Sequence, residues 1–179
     1  MRSLTLAILL LTKAALAAEP FLDEPLQVRD PASASDCVAP SGALCVRAAD
    51  ASTIEAASMP TAGLVADART HVPTFARNAA ARDLVEPAWA LDVVFRLRRA
   101  ALAGNAVFLA YDADDVQSIA AREPVALWQA PVKGGRVVAA RLTLTDDDGF
   151  RVDHTYRIRL VQLVGGHEVL LAEGDVRLH

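Results

Sequence analysis

The chain has 179 residues, with 18 basic and 22 acidic side chains, a formal charge of −4 and 53% hydrophobic residues. That length supports one hydrophobic core with a modest appendage. Scattered charges and a high content of Ala and Val exclude a disordered chain, and the acidic balance excludes nucleic acid as a partner, because binding phosphates takes a basic field.

Residues 1–17 read as an export signal. Arg2 precedes an apolar run over 4–11 that is too short to cross a bilayer as a helix, and Ala15-Leu16-Ala17 offers the small-x-small site for cleavage after Ala17. Cleavage leaves 179 − 17 = 162 residues and removes Arg2 and Lys13, so the mature charge becomes −6. The mature chain is then expected to carry no transmembrane segment and to reside in the periplasm or outside the cell.

Residues 18–70 are expected to form an irregular N-terminal arm, since Pro20, Pro25, Pro31, Pro40 and Pro60 interrupt its short apolar stretches. Its ordered piece should be a hairpin around Pro40-Ser41-Gly42, with Leu44-Cys45-Val46 as a strand. Cys37 and Cys45, the only cysteines, flank this turn. An even pair so placed in an exported chain predicts a disulfide, worth about 2–3 kcal/mol by loop closure. The gap is not that of a C-x-x-C redox pair, and a lone pair without a nearby His does not complete a tetrahedral zinc site.

Residues 71–179 form the expected domain proper. Residues 74–85 have helical composition, with Phe75, Ala79 and Leu84 on one face and Pro87 as the stop. Leu91, Val93, Phe95 and Leu97 then alternate with Asp92, Val94, Arg96 and Arg98, the period of a strand with one face in a core. Val107, Leu109 and Tyr111 repeat the alternation. Asp114 is placed to cap a short inserted helix over 114–123, with Gln117 completing a capping box and Pro124 ending it. Residues 125–130 make the next strand, Lys133-Gly134-Gly135 a turn, and Val138, Ala140, Leu142 and Leu144 the strand after it.

The last two strands are joined by Gly165-Gly166, a two-residue loop of the primed type. Its register sets Val164 opposite His167, Gln162 opposite Val169 and Leu160 opposite Leu171. Gly174 is expected to be a bulge, because Val176 and Leu178 fall on the opposite phase from Val169 and Leu171. Strands near residues 44, 91, 107, 125, 138, 156 and 169, about seven in all, predict an all-β antiparallel sandwich.

Residues 149–159, Gly-Phe-Arg-Val-Asp-His-Thr-Tyr-Arg-Ile-Arg, resemble the approach to the penultimate strand of immunoglobulin-like and fibronectin type III domains. The resemblance spans roughly the last ninety residues. It implies an immunoglobulin-like sandwich in which Tyr156 is the corner tyrosine whose hydroxyl returns to the backbone, and Trp128 a core tryptophan. The core cysteine pair of antibody domains is missing, and fold similarity of this kind carries no function.

Candidate sites are few. Asp112, Asp114 and Glu123 occupy positions one, three and twelve of an EF-hand-like loop, but Val116 and Gln117 stand where a ligand and a glycine are needed, so a capped helix is expected instead. Asp146, Asp147, Asp148 and Asp153 read as solvated turns at a strand end. His71, His154, His167 and His179 lack metal-site spacing, and His154 shares a face with Tyr156. No nucleophile elbow occurs. The rings of Trp89, Trp128, Tyr111 and Tyr156 are expected in the core rather than on a sugar-binding platform.

Arg96, Arg98, Arg157 and Arg159, joined by Arg141, fall at outward strand positions. They form either a solubilising face paired with Asp92, Glu168 and Asp175 or a docking face for an acidic partner. Neither catalytic residues nor a cofactor or metal are expected. The leading expectation is an exported, non-catalytic binding or assembly domain of the cell envelope, whose partner is an unknown protein or an envelope polymer. The alternative is a secreted hydrolase or a calcium-dependent carbohydrate-binding module.

Overall fold

The alternating run at residues 91–98 becomes the middle of a sixteen-residue strand around which one sheet is built. The computed structural model describes residues 25–30, 37–49, 51–57, 72–81, 86–115 and 123–179. In chain order the strands are β1 (Leu26–Arg29), β2 (Leu44–Ala48), β3 (Glu55–Ala56), β4 (Thr74–Phe75), β5 (Ala79–Ala81), β6 (Glu86–Ala101), β7 (Gly104–Asp112), β8 (Ala126–Val132), β9 (Gly135–Leu144), β10 (Thr155–Val164) and β11 (His167–Leu178). No helix occurs among the described residues. The first sheet runs β1-β9-β6-β2-β3, with β5 also pairing β6, and the second runs β4-β11-β10-β7-β8. All seven expected strands are present, and the fold is an all-β, sandwich-like packing of two sheets.

The core lies between the sheets. From β6 it receives Trp89, Leu91, Val93, Phe95 and Leu97, from β9 Val138, Ala140, Leu142 and Leu144, and from β10 Tyr156, Ile158 and Leu160. Phe95 and Phe108 meet edge to face across it, with centroids 5.6 Å apart. The sheets also join along one side, where the Glu173 N–H of β11 donates to the Gly42 carbonyl just before β2 at 2.9 Å. Gly42 has φ +94°, a conformation that favours glycine.

The Cys37–Cys45 disulfide is formed. It packs on the outer face of the first sheet against Val94 and Ala139, so Val94 is buried although it alternates with core residues. The Gly165-Gly166 loop has φ +59° and +81°, both positive as a type I′ turn requires. Val164 faces His167 and Gln162 faces Val169, as the sequence predicts.

Five expectations are corrected. Residues 74–81 are not helical: β4 lies parallel to the end of β11 and β5 pairs the start of β6, because edge pairing and the burial of Phe75 override local helical preference. On β7 the core face belongs to Ala106, Phe108 and Ala110, while Val107, Leu109 and Tyr111 face outward in a separate cluster with Val161 and Leu170. The bulge is at Leu171, since Leu160 pairs Ala172 and Val161 pairs Leu170; Gly174 pairs Ile158 regularly. Trp128 is half-buried on the terminal strand β8 and stacks on Phe150, whereas the fully buried tryptophan is Trp89 on the central strand β6. Finally, residues 26–29 of the expected irregular arm form β1, which closes the first sheet beside β9. The signal segment with its cleavage site after Ala17 lies outside the described residues, as do residues 116–122 of the inserted helix.

Candidate functional site

The end of β7 and the 145–154 loop, which leads from β9 into β10, meet at one end of the sandwich because β7 and β10 pair antiparallel there. Asp112, the last residue of β7, faces Tyr156 at the start of β10. The Asp114 N–H donates to Asp112 Oδ1 at 3.0 Å, and the Thr155 N–H to Asp114 Oδ2 at 2.8 Å. His154 Nδ1 lies 2.9 Å from Asp112 Oδ2. One potential ligand atom from each of Asp112, Asp114 and His154 lies within 4.8 Å of the others. Two carboxylates and an imidazole form a mixed donor set, which suits a borderline divalent cation better than calcium with its all-oxygen shell.

The neighbouring acidic run is engaged otherwise. Asp146 is gripped by Arg77 Nη2 at 2.7 and 2.8 Å, and Arg77 lies 4.6 Å over the Trp89 ring. Asp148 accepts from Thr145 Oγ1 at 2.7 Å. Asp112 and Asp146 therefore share an end of the sandwich without sharing a partner.

Tyr156 behaves as a corner tyrosine. Its hydroxyl accepts the Arg151 N–H at 2.7 Å, its ring packs on Phe150, and burial pushes its pKa up. His154 stacks on that ring at 6.3 Å but hydrogen-bonds Asp112 instead. Asp153, at φ +62°, meets His179 Nδ1 at 2.9 Å; that hydrogen bond holds the Asp153 carboxyl below its ordinary value. The Trp89 indole N–H donates to the His179 carbonyl at 3.3 Å, tying the last residue to the core. His167 is exposed beside the glycine loop.

The arginines are spread over both sheets. Arg96 reaches the Cys37 carbonyl at 3.2 Å. Arg98 meets Glu173 Oε1 at 3.3 Å, and Arg159 approaches Glu173 Oε2 at 3.5 Å and Glu168 at 4.0 Å. Arg157 forks onto Asp175 at 2.8 and 3.1 Å, a pairing that raises its already high pKa. Arg141 forks onto Asp92 at 2.8 and 3.0 Å, with Arg47 on the same carboxylate at 3.3 Å. Glu173 thus links Arg98 to Arg159, while Arg96 stands apart by the disulfide. Of the acids first considered as partners, Asp92 and Asp175 hold guanidinium forks and Glu168 lies at 4.0 Å from Arg159, while Glu173, which the sequence did not single out, takes both Arg98 and Arg159. Their interleaving with the arginines neutralises most of the basic character of the stripe.

A second concave feature escaped the sequence. The terminal strands β1 and β8 face each other across a cleft of about 440 Å³, lined by both strands, the Lys133-Gly134 turn and part of β9. Leu26 and Val28 alternate together toward the inside; Leu26 is buried in the core, but Val28 is 38% exposed because the sandwich opens there. No period in the letters marks such a seam, which exists only because two strands distant in sequence end their respective sheets. In comparisons with protein families, curated proteins and solved structures, nothing matches this chain.

Proposed function

We propose that this chain is an exported, non-catalytic domain of the cell envelope with immunoglobulin-like architecture, which acts by binding or assembly. The observation that carries the reading is the Cys37–Cys45 disulfide, the pairing expected in an oxidising compartment. The export pattern in residues 1–17 supports it independently. The immunoglobulin-like reading draws on strand order: β2-β6-β9 correspond to strands A-B-E, and β11-β10-β7-β8 to G-F-C-C′. Tyr156 at the start of β10 takes the corner position, and β1 occupies the place beside β9 that strand D holds. Assembly is favoured over chemistry because the arginines and acids are largely paired with one another, while the open concavity lies between sheet edges that recognise extended backbone.

The test is expression of the full chain in an exporting host, followed by fractionation and intact-mass measurement. The expected product begins at Ala18, is found outside the cytoplasm and has lost two hydrogens to the disulfide. A chain retained in the cytoplasm with residues 1–17 attached and both thiols free would end this reading.

The alternative, calcium-dependent carbohydrate binding or hydrolysis, draws on Asp112, Asp114 and His154. It has weaker support, because one donor is nitrogen and the rings of Trp89 and Tyr156 are fully buried. Calcium that binds the folded state must raise the melting temperature; an unchanged melt in excess calcium removes it.

A further inference from the structure

We propose that the end of the sandwich carrying the β6–β7, β8–β9 and β10–β11 turns is a membrane-docking tip, which enters the surface of a bilayer containing anionic phospholipid.

The strand register brings these turns together. Ala101 pairs with Gly135, Gly104 with Val132 and Val107 with Val161, so residues 99–105, 133–136 and 163–168 share the end opposite Asp112. Gln162, only 5% exposed, clamps the first turn: its amide donates to the Leu102 carbonyl at 2.9 Å and accepts the Leu102 N–H at 3.0 Å. Gly134 lies against the same turn, since a Cβ there would meet the Ala103 nitrogen at 3.1 Å. The turn is thus held with Leu102 59% exposed, next to the hairpin that carries Leu163 at 66% and Val164 at 40%. Exposed aliphatic side chains gathered on adjacent turns mark a binding surface.

Shape selects what covers it. Leu163 and Val164 are consecutive, so their side chains stand on opposite faces of the β10–β11 hairpin. A protein laid on either sheet face covers one and leaves the other in water, whereas hydrocarbon around the tip covers both. The three turns also hold no Phe, Tyr or Trp, the rings that anchor protein interfaces. Exposed Gly165 and Gly166 at the extreme end set a shallow depth, at which headgroups and water still reach the turn backbone.

Charge selects which bilayer. Arg99, Lys133 and Arg136 are exposed and form no ion pair among the described residues, and the one acid of these turns, Glu168, is drawn to Arg159 at 4.0 Å. Three cations against one acid leave +2. Arg29 and Asp30, which border Lys133 in the cleft, offset each other. At the other end, residues 112–115 hold three aspartates and residues 145–154 four, against Arg151 alone. The nine residues of β7 separate the two ends by about 30 Å, and salt screens charges over about 8 Å at physiological ionic strength. The acidic end therefore does not cancel the attraction between the tip and anionic headgroups, and approach by the tip is the orientation that attracts.

This inference deepens the binding reading above by naming its partner and rests on that reading for its setting in the envelope; vesicle binding and export are measured separately, so either can fail alone. The experiment is co-sedimentation of the oxidised chain from Ala18, which lacks the apolar run over 4–11, with vesicles of phosphatidylcholine mixed with phosphatidylglycerol and of phosphatidylcholine alone. The parent should pellet with the mixed vesicles at low salt. Leu102→Ser with Leu163→Ser should bind about tenfold more weakly. Arg99→Ser, Lys133→Ser and Arg136→Ser together should weaken binding by about tenfold or more and remove its salt dependence. Val152→Ser, exposed at the opposite end, should bind as the parent does. Every altered side chain is exposed, and matching thermal melts establish that lost binding is not lost fold. In Leu163→Trp, brominated acyl chains should quench the new indole. A parent that binds neither vesicle, a leucine double variant that binds as the parent does, or a bound Leu163→Trp that stays unquenched overturns the proposal. Equal binding to both compositions, or release by soluble glycerol phosphate, also overturns it. So does self-association, in place of vesicle binding, that the leucine double variant abolishes, because the tip would then meet a second copy.

Discussion

Asp92 sits between Arg141 and Arg47 on the outer face of β6. Burial works to raise its pKa, but the Arg141 hydrogen bond and the surrounding guanidinium charges outweigh it and hold the carboxyl below its ordinary value. A carboxylate depressed in the folded state contributes stability that is fully present above its unfolded pKa, about 3.9, and is lost as pH falls through the lower folded value. Asp92→Asn should therefore lower stability by about 1–2 kcal/mol at neutral pH, and the difference from the parent should shrink below about pH 4. Urea titrations across pH read this directly, and a constant gap down to pH 2 would contradict it. Tyr156→Phe should cost about 1 kcal/mol by removing the acceptor of the Arg151 N–H while leaving the ring packing intact. In the parent, ultraviolet titration should find Tyr156 ionising above the ordinary tyrosine value, or only on unfolding. Of these two residues the corner role of Tyr156 was legible from its place before the last hairpin. The contact between His154 and Asp112 was not, because they stand 42 residues apart and meet only through the pairing of β7 with β10.

Gly174 shows how an element can require a glycine without any unusual backbone. A Cβ there would lie 2.9 Å from Leu44 Cγ and 3.0 Å from the Ala57 Cβ, where β11 passes against the first sheet. Gly174→Ala should destabilise the fold by about 1–3 kcal/mol through overpacking, measured as a lower denaturant midpoint. An unchanged midpoint would mean that Leu44 moves aside freely. The sequence marked this position as special but for the wrong reason, since its change of phase originates at Leu171. Reduction of Cys37–Cys45 should cost about 2–3 kcal/mol, seen as a lower melting temperature in reductant. The short strands β4 and β5 were illegible for a related reason. Two or three residues carry no period, and only the neighbours β11 and β6 make them extended.

As a whole, the molecule is built from contacts between strands distant in sequence, such as β2 with β6 and β1 with β9. Such topology delays native pairing, because loops must close before the contacts reward them. With the disulfide intact, refolding should take milliseconds to seconds in stopped-flow fluorescence of the buried Trp89. Completion within microseconds would show that local hairpins, rather than the sandwich, set the rate. The edges of β1 and β8, which pair with no strand among the described residues, belong to this scale too. Sandwiches manage such edges by covering, charging or pairing them.

Short apolar or alternating runs between turn signals by themselves determined the seven principal strands, the glycine hairpin and its initial register, and the cysteine turn pointed to the disulfide, since each depends on residues close together in the chain. Which sheet a strand joins, and which of two apolar faces turns inward, only the tertiary structure decided. On β7 the run from Ala106 to Tyr111 is apolar at every position, so a period of two has no sign there until Phe95 arrives from the other sheet to choose Phe108. The seam between β1 and β8 has the same origin, because strand termination within a sheet is a property of long-range pairing and leaves no local mark.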